Sequence, residues 1–246
     1  MSDPATPPPP VLPTAAQWRE RARAITIDAR AWIGGEAVDA LSGATFADHS
    51  PRDGSRLADV ASCDDRDVAR AVESARRAFV SSHWSDAAPG ERKRILRRFA
   101  ELVAEHTEEL ALLETLDVGK PIGESLRVDV PAAAQCLEWF AETVDKQYGE
   151  IAPTGPDSLA LVTREPVGVV GAVVPWNYPL IISAWKIAPA LAAGNSVILK
   201  PAEQSPLSSL VLGRLATEAG IPDGVFNVVP GDGPRAGAAL GRHPDV

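Results

Sequence analysis

The chain has 246 residues, 45% of them apolar, and 33 acidic against 24 basic side chains give it a formal charge of -9. That length and apolar content allow one large or two ordinary domains with a real core, while the acidic balance argues against a nucleic-acid surface or an anionic membrane as partner, since either calls for clustered Lys and Arg. Two cysteines offer neither a disulfide framework nor metal-ligand spacing, and no apolar run reaches membrane-span length, so the expectation is a reducing compartment, the cytoplasm by default, and no metal.

Residues 1–14 begin MSDPATPPPPVLP, with six prolines in thirteen positions, and predict a disordered or polyproline arm. Residues 15–147 predict a mainly helical part. An Asp-rich start at Asp65 leads into Val68, Val72, Ala75 and Phe79 at helical spacing. A second helix from Pro89 puts Ile95, Phe99, Leu102 and Val103 on one face, with Arg92, Lys93, Arg94, Arg97 and Arg98 read as its solvated side. The pattern continues or restarts through TEELALLETLDVGKP, where Gly119 and Pro121 stop it, and a third helix from Pro131 lines up Cys136, Phe140 and Val144.

Residues 148–166, YGEIAPTGPDSLALVTREP, place two β-prone arms around a turn cluster and predict a protruding hairpin. Pattern alone leaves open whether it packs on its own domain or pairs with a neighbouring subunit. Residues 167–246 then alternate. VGVVGAVV, SVILK and VFNVVP read as buried strands, separated by helices from Leu180 to Ala193 and from Leu207 to Ala219. This βαβαβ series predicts an α/β fold of Rossmann-like type, a parallel sheet with helices on both faces. Ligands bind such sheets beyond the carboxyl ends of the strands, so Pro175-Trp-Asn-Tyr178, Lys200-Pro-Ala-Glu203 and Pro230-Gly-Asp-Gly233 should share one rim. No G-x-G-x-x-G fingerprint is present, and GDGPRAG only approximates it.

The run VVPWNYPLIISAWKIAPALAAGNSVILKPAEQSPLSSLVLGRLATEAGIPDGVFNVVPGDG resembles the amino-terminal half of the aldehyde dehydrogenase superfamily, as do LETLDVGKP and REPVGVVGAVVPWN upstream. The resemblance covers roughly residues 25–246. LALLETLDVGKPI and YGEIAP resemble the members acting on γ-glutamylamino or ω-amino aldehydes. It implies NAD as cofactor, a small-molecule aldehyde as substrate, and a homo-oligomer. In that family a cysteine thiolate attacks the aldehyde and the resulting oxyanion passes hydride to the nicotinamide. Asn177 matches the asparagine that donates to that oxyanion; read without the resemblance, it would cap the following helix. Lys200, Ala202 and Glu203 match the positions around the adenosine ribose, where a carboxylate repels a 2'-phosphate. Val173, Val174, Pro175 and Trp176 match the nicotinamide wall, Gly231 the glycine admitting the adenine, and Tyr178 and Trp185 aromatic walls of the substrate tunnel; Lys186 completes the family's Trp-Lys pair. The family's nucleophilic cysteine and general-base glutamate have no match within these residues. Cys63, beside Asp64 and Asp65, and Cys136, on an apolar helix face, read as packing residues. The resemblance thus implies an incomplete, cofactor-binding half that has no turnover alone, or a non-catalytic module that binds NAD or assembles with a relative.

Overall fold

The structure, a computed structural model, describes residues 13–246, so the expected arm lies almost wholly outside the described residues. Helix α1 (Ala15–Ala24) starts on a capping box between Thr14 and Gln17. Four short strands follow, β1 (Ala31–Ile33), β2 (Glu36–Val38), β3 (Thr45–His49) and β4 (Arg56–Ala61), a departure from the mainly helical expectation for this part. Helices α2 (Asp65–Val80), α3 (Pro89–Glu105) and α4 (Thr107–Val118) come next. Asp64 and Asp67 form the capping box of α2, and α4 ends at Gly119 in the left-handed region, φ 81°. Beyond it lie the short α5 (Ile122–Glu124) and the long α6 (Val130–Thr143). The buried stripe of α6 is Val130, Ala133, Leu137 and Ala141, continued by Val144; Cys136 and Phe140 are only partly buried, so the inward face lies one position off the expected one.

Strands β5 (Glu150–Ala152) and β6 (Ala160–Val162) pair antiparallel only with each other. Tyr148, Ile151, Leu159, Leu161 and Val162 on this hairpin are all exposed, so its apolar arms do not pack on the chain's own core. After it the expected alternation appears as β7 (Val169–Val173), α7 (Pro179–Ala192), β8 (Ser196–Lys200), α8 (Leu207–Glu218), β9 (Phe226–Val228) and the short α9 (Ala238–Arg242).

The main sheet runs β2-β1-β9-β8-β7, with β7, β8 and β9 parallel and β1 antiparallel to β9. Side chains alternate across it with period two. Val197 and Leu199 of β8 face a core shared with α3, α6, α7 and α8, while Ile198 faces Val68, Ala71, Val72 and Ala75 of α2. Both faces are therefore covered, which is why the strands are apolar without interruption. Strands β3 and β4 form a separate antiparallel pair, irregular at Asp48 and His49.

Candidate functional site

Adjacent parallel strands bring three loops out at one sheet edge. Val173 of β7 stands opposite Lys200 of β8, and Leu199 opposite Val228 of β9. Pairing continues past the strand ends, since Val174 N donates to Lys200 O at 3.2 Å and Val229 N to Leu199 O at 2.9 Å. The first loop, 174–178, then turns into α7, where Pro179 sits in the first turn and needs no amide partner. Ser205 Oγ of the second loop donates to the Trp176 carbonyl at 3.0 Å, tying the two loops together.

Val173, Pro175, Trp176, Asn177, Tyr178 and Trp185 are exposed. Val174 is not. It is 3% exposed and belongs to the core, so only its backbone can face a ligand, because side chains alternate along the extended segment. Asn177 caps nothing either: α7 has no side-chain cap from its own preceding residues, and the amide of Leu180 is met by Glu114 of α4.

In the second loop Lys200 is 2% exposed, and its Nζ lies 3.2 Å from Glu203 Oε2, whose carboxylate reaches solvent. Ala202 is buried beside them. Trp176 and Glu203 line the same open cleft with Asp48, His49, Asp117 and Gln204. In the third loop Asp232 caps the turn into Arg235 and pairs with its guanidinium at 2.7 Å; Arg235, with a smaller contribution from Lys200, holds this carboxyl below the usual range. Gly231 has φ 153°, and a Cβ there would lie 2.7 Å from the Cys63 carbonyl oxygen and 2.9 Å from Ala236 Cβ. The atoms that demand a glycine here are the protein's own.

Beneath the loops lies a set of buried acids that sequence reasoning did not single out. Glu114 Oε1 accepts from Leu180 N at 3.2 Å and from Ser208 Oγ at 2.6 Å, and one turn later Asp117 Oδ2 accepts from Leu207 N at 2.9 Å. One helix thus caps the first turns of both α7 and α8, where unpaired amides and the helix dipole favour negative charge. Burial pushes the Glu114 carboxyl up to about 7. Burial and the charge of neighbouring Asp48 raise Asp117 well above its ordinary value, and Asp48 is itself raised by burial. Spacing gives only a hint, Glu114 and Asp117 standing four and seven positions after Leu110; the amides that they meet lie far along the chain.

Neither thiol is activated. Burial first, then Asp67 and Asp64, raises Cys63, and burial raises Cys136. The expected direction for Cys63 holds, but burial outweighs the charges, and the second acid is Asp67 rather than Asp65.

The model described as Aldehyde dehydrogenase family matches residues 38–246. The chain is 51% identical to the NADP/NAD-dependent aldehyde dehydrogenase PuuC of Escherichia coli over 231 residues, 94% of this chain and 47% of the relative. A crystal structure of indole-3-acetaldehyde dehydrogenase complexed with NAD+ superposes with a TM-score of 0.95 at 56% identity, covering 96% of this chain and 48% of that one. The gamma-glutamyl-gamma-aminobutyraldehyde dehydrogenase of Burkholderia cenocepacia superposes with a TM-score of 0.93 at 56% identity over 94% and 47% of the two chains. The chain spans about half the length of the curated relatives it matches.

Proposed function

Because the chain belongs to the aldehyde dehydrogenase family, we propose that it is the dinucleotide-binding part of an NAD-dependent enzyme that oxidises an aldehyde to a carboxylic acid. The observation that carries this reading is the rim itself: three neighbouring parallel strand ends present an exposed amide at Asn177, a solvent-reaching carboxylate at Glu203 and a glycine turn at Gly231. Those residues fit the cofactor. Glu203, steadied by Lys200 at 3.2 Å, has an oxygen free for ribose hydroxyls and would repel a 2'-phosphate, while Val173, Pro175 and Trp176 offer an exposed wall. NAD, when bound, supplies the hydride acceptor.

The Asn177 side-chain N–H is oriented by a loop fixed on both sides and, among the described residues, makes no hydrogen bond that it would have to give up. Aimed at the aldehyde oxygen, it would stabilise the negative charge that develops there by about 3 kcal/mol. Tyr178 and Trp185 supply exposed aromatic surface for the substrate. Likeness to an enzyme named for gamma-glutamyl-gamma-aminobutyraldehyde supports an amino- or acylaminoaldehyde as substrate. The exposed apolar hairpin at 148–166 supports pairing with a second copy, since its apolar arms stay uncovered by the described residues.

Buried Cys63 and half-buried Cys136, both with raised thiols, favour a second reading for these residues taken alone, a module that binds NAD without turning over. Two measurements on the 246-residue chain test what both readings share. Calorimetric titration should show NAD binding that Glu203→Gln weakens by about tenfold, roughly the 1–1.5 kcal/mol of a charge-assisted hydrogen-bond pair. NADH formation with amino aldehydes should be absent. A chain that binds no adenine nucleotide refutes the cofactor reading, and robust NADH production refutes the assignment of both thiols as inert.

A further inference from the structure

The loop carrying Asn177 is gripped from below by a group that nothing above assigns. Gly119, left-handed at φ 81°, ends α4 and throws Lys120 back across the first turn of α7. The Lys120 ammonium lies 4.3 Å from the centroid of the Tyr178 ring, 2.7 Å from Asp129 Oδ2 and 3.7 Å from Glu114 Oε2. The contact with Asp129 is an ion pair rather than an aligned hydrogen bond, because its atoms are close but lack hydrogen-bond geometry. Glu114 and Asp129 are 0% and 2% exposed, so the ammonium is shielded from water on the side away from the ring. A cation over an aromatic face attracts it more strongly where water is excluded.

The same cluster thus holds consecutive parts of one chain segment. Glu114 takes the Leu180 amide, and Lys120 takes the Tyr178 ring two residues earlier. On the far side, Ser205 holds the Trp176 carbonyl. Asn177 stands between the two anchors.

We propose that Lys120 is a positioning residue: by drawing Tyr178 onto the buried Glu114–Asp129 pair, it fixes where Asn177 and the exposed side chains of Val173, Pro175 and Trp176 stand for the nicotinamide end of the dinucleotide. The proposal rests on the NAD reading above. It requires an effect confined to one end of the cofactor, since the adenosine end is assigned to Lys200 and Glu203 on the next strand.

The test compares NAD with AMP, which lacks the nicotinamide half, on the full chain. Lys120→Met should weaken NAD binding by about fivefold and leave AMP binding unchanged. Lys120→Arg keeps the charge, the ion pair and a planar group for stacking, and should restore NAD binding to within about twofold. Tyr178→Leu should reproduce the loss, and adding Lys120→Met to it should cost nothing more. With only two tyrosines in the chain, ring-labelled spectra give an independent signal, and the Tyr178 resonances should move in Lys120→Met while those of Tyr148 stay. Equal weakening of NAD and AMP would mean general loosening and overturns the proposal, as does an unchanged NAD affinity. Should the unmodified chain bind neither nucleotide, the cofactor reading fails instead; unmoved Tyr178 resonances then overturn the positioning role separately. If Lys120→Met does not fold, Lys120→Arg and Tyr178→Leu decide the matter by the same comparison.

Discussion

Replacing Glu114 by Gln is expected to flatten the pH dependence of stability, with little change near pH 5 and a growing gain as pH rises. The carboxyl is fully buried, and burial is the main reason that it is raised from 4.5 to about 7. Hydrogen bonds from Ser208 and Leu180 and the charge of Lys120 oppose the rise, while Asp129 adds to it. Burial outweighs that opposition, and the geometry adds to it: Lys120 lies 2.7 Å from Asp129 but 3.7 Å from Glu114, so its attraction is shared. A folded-state carboxyl raised in this way holds its proton where the unfolded chain has lost it. Its contribution to stability is complete below 4.5 and is lost as pH rises through about 7. The linked free energy is about 3 kcal/mol. Gln keeps an oxygen for Leu180 N and Ser208 Oγ, so the two chains should match most closely near pH 5. Urea unfolding from about pH 5 to about pH 8 at fixed ionic strength measures the difference, and the variant should gain on the unmodified chain as pH rises, by up to about 3 kcal/mol. Asp48 and Asp117 are raised in both chains, so the subtraction removes most of their effect. Parallel curves, or a gap that opens toward acid, would refute the account of this cluster.

Gly213→Ala should destabilise the chain despite better helix propensity, because the new Cβ would lie 2.7 Å from Trp32 Cγ and the ring is tethered through Nε1 to Thr217 Oγ1 at 3.2 Å. Overpacking costs about 1–3 kcal/mol against at most about 1 kcal/mol gained, so a thermal melt showing stabilisation would overturn this. Cys63 should stay silent to a disulfide reagent in the native chain and react only on unfolding, when both thiols should be counted; rapid native labelling at Cys63 would contradict its burial and raised thiol.

What was legible in the sequence followed from how completely a segment's environment is written into it. SVILK is buried on both faces and reads as a parallel strand without help. AWI and EAV, three residues each, carry too few positions to show a period, and they become strands because β1 finds an edge on β9, nearly two hundred positions away. The inward face of α6 was misplaced for a related reason. Its buried stripe includes the small Ala133 and Ala141, which carry a weak apolar signal, while the larger Cys136 and Phe140 lie on the adjacent stripe.

The rim residues were readable because motifs place them, but what holds the rim was not, since the pattern that marks a helix face treats every acid as solvated. In LETLD the rule inverts. Glu114 and Asp117 point inward because two other helices begin there and bring amides that need an acceptor. Their partners lie 66 and 90 positions downstream, so no local window contains the reason. Lys120 follows from the same cluster: buried Glu114 and Asp129 both approach one cation, and the turn at Gly119 delivers it beneath Tyr178. The exposed chemistry of the site and its buried support were therefore encoded differently, the first by residue type at a strand end and the second by helix ends that exist only once the sheet has formed.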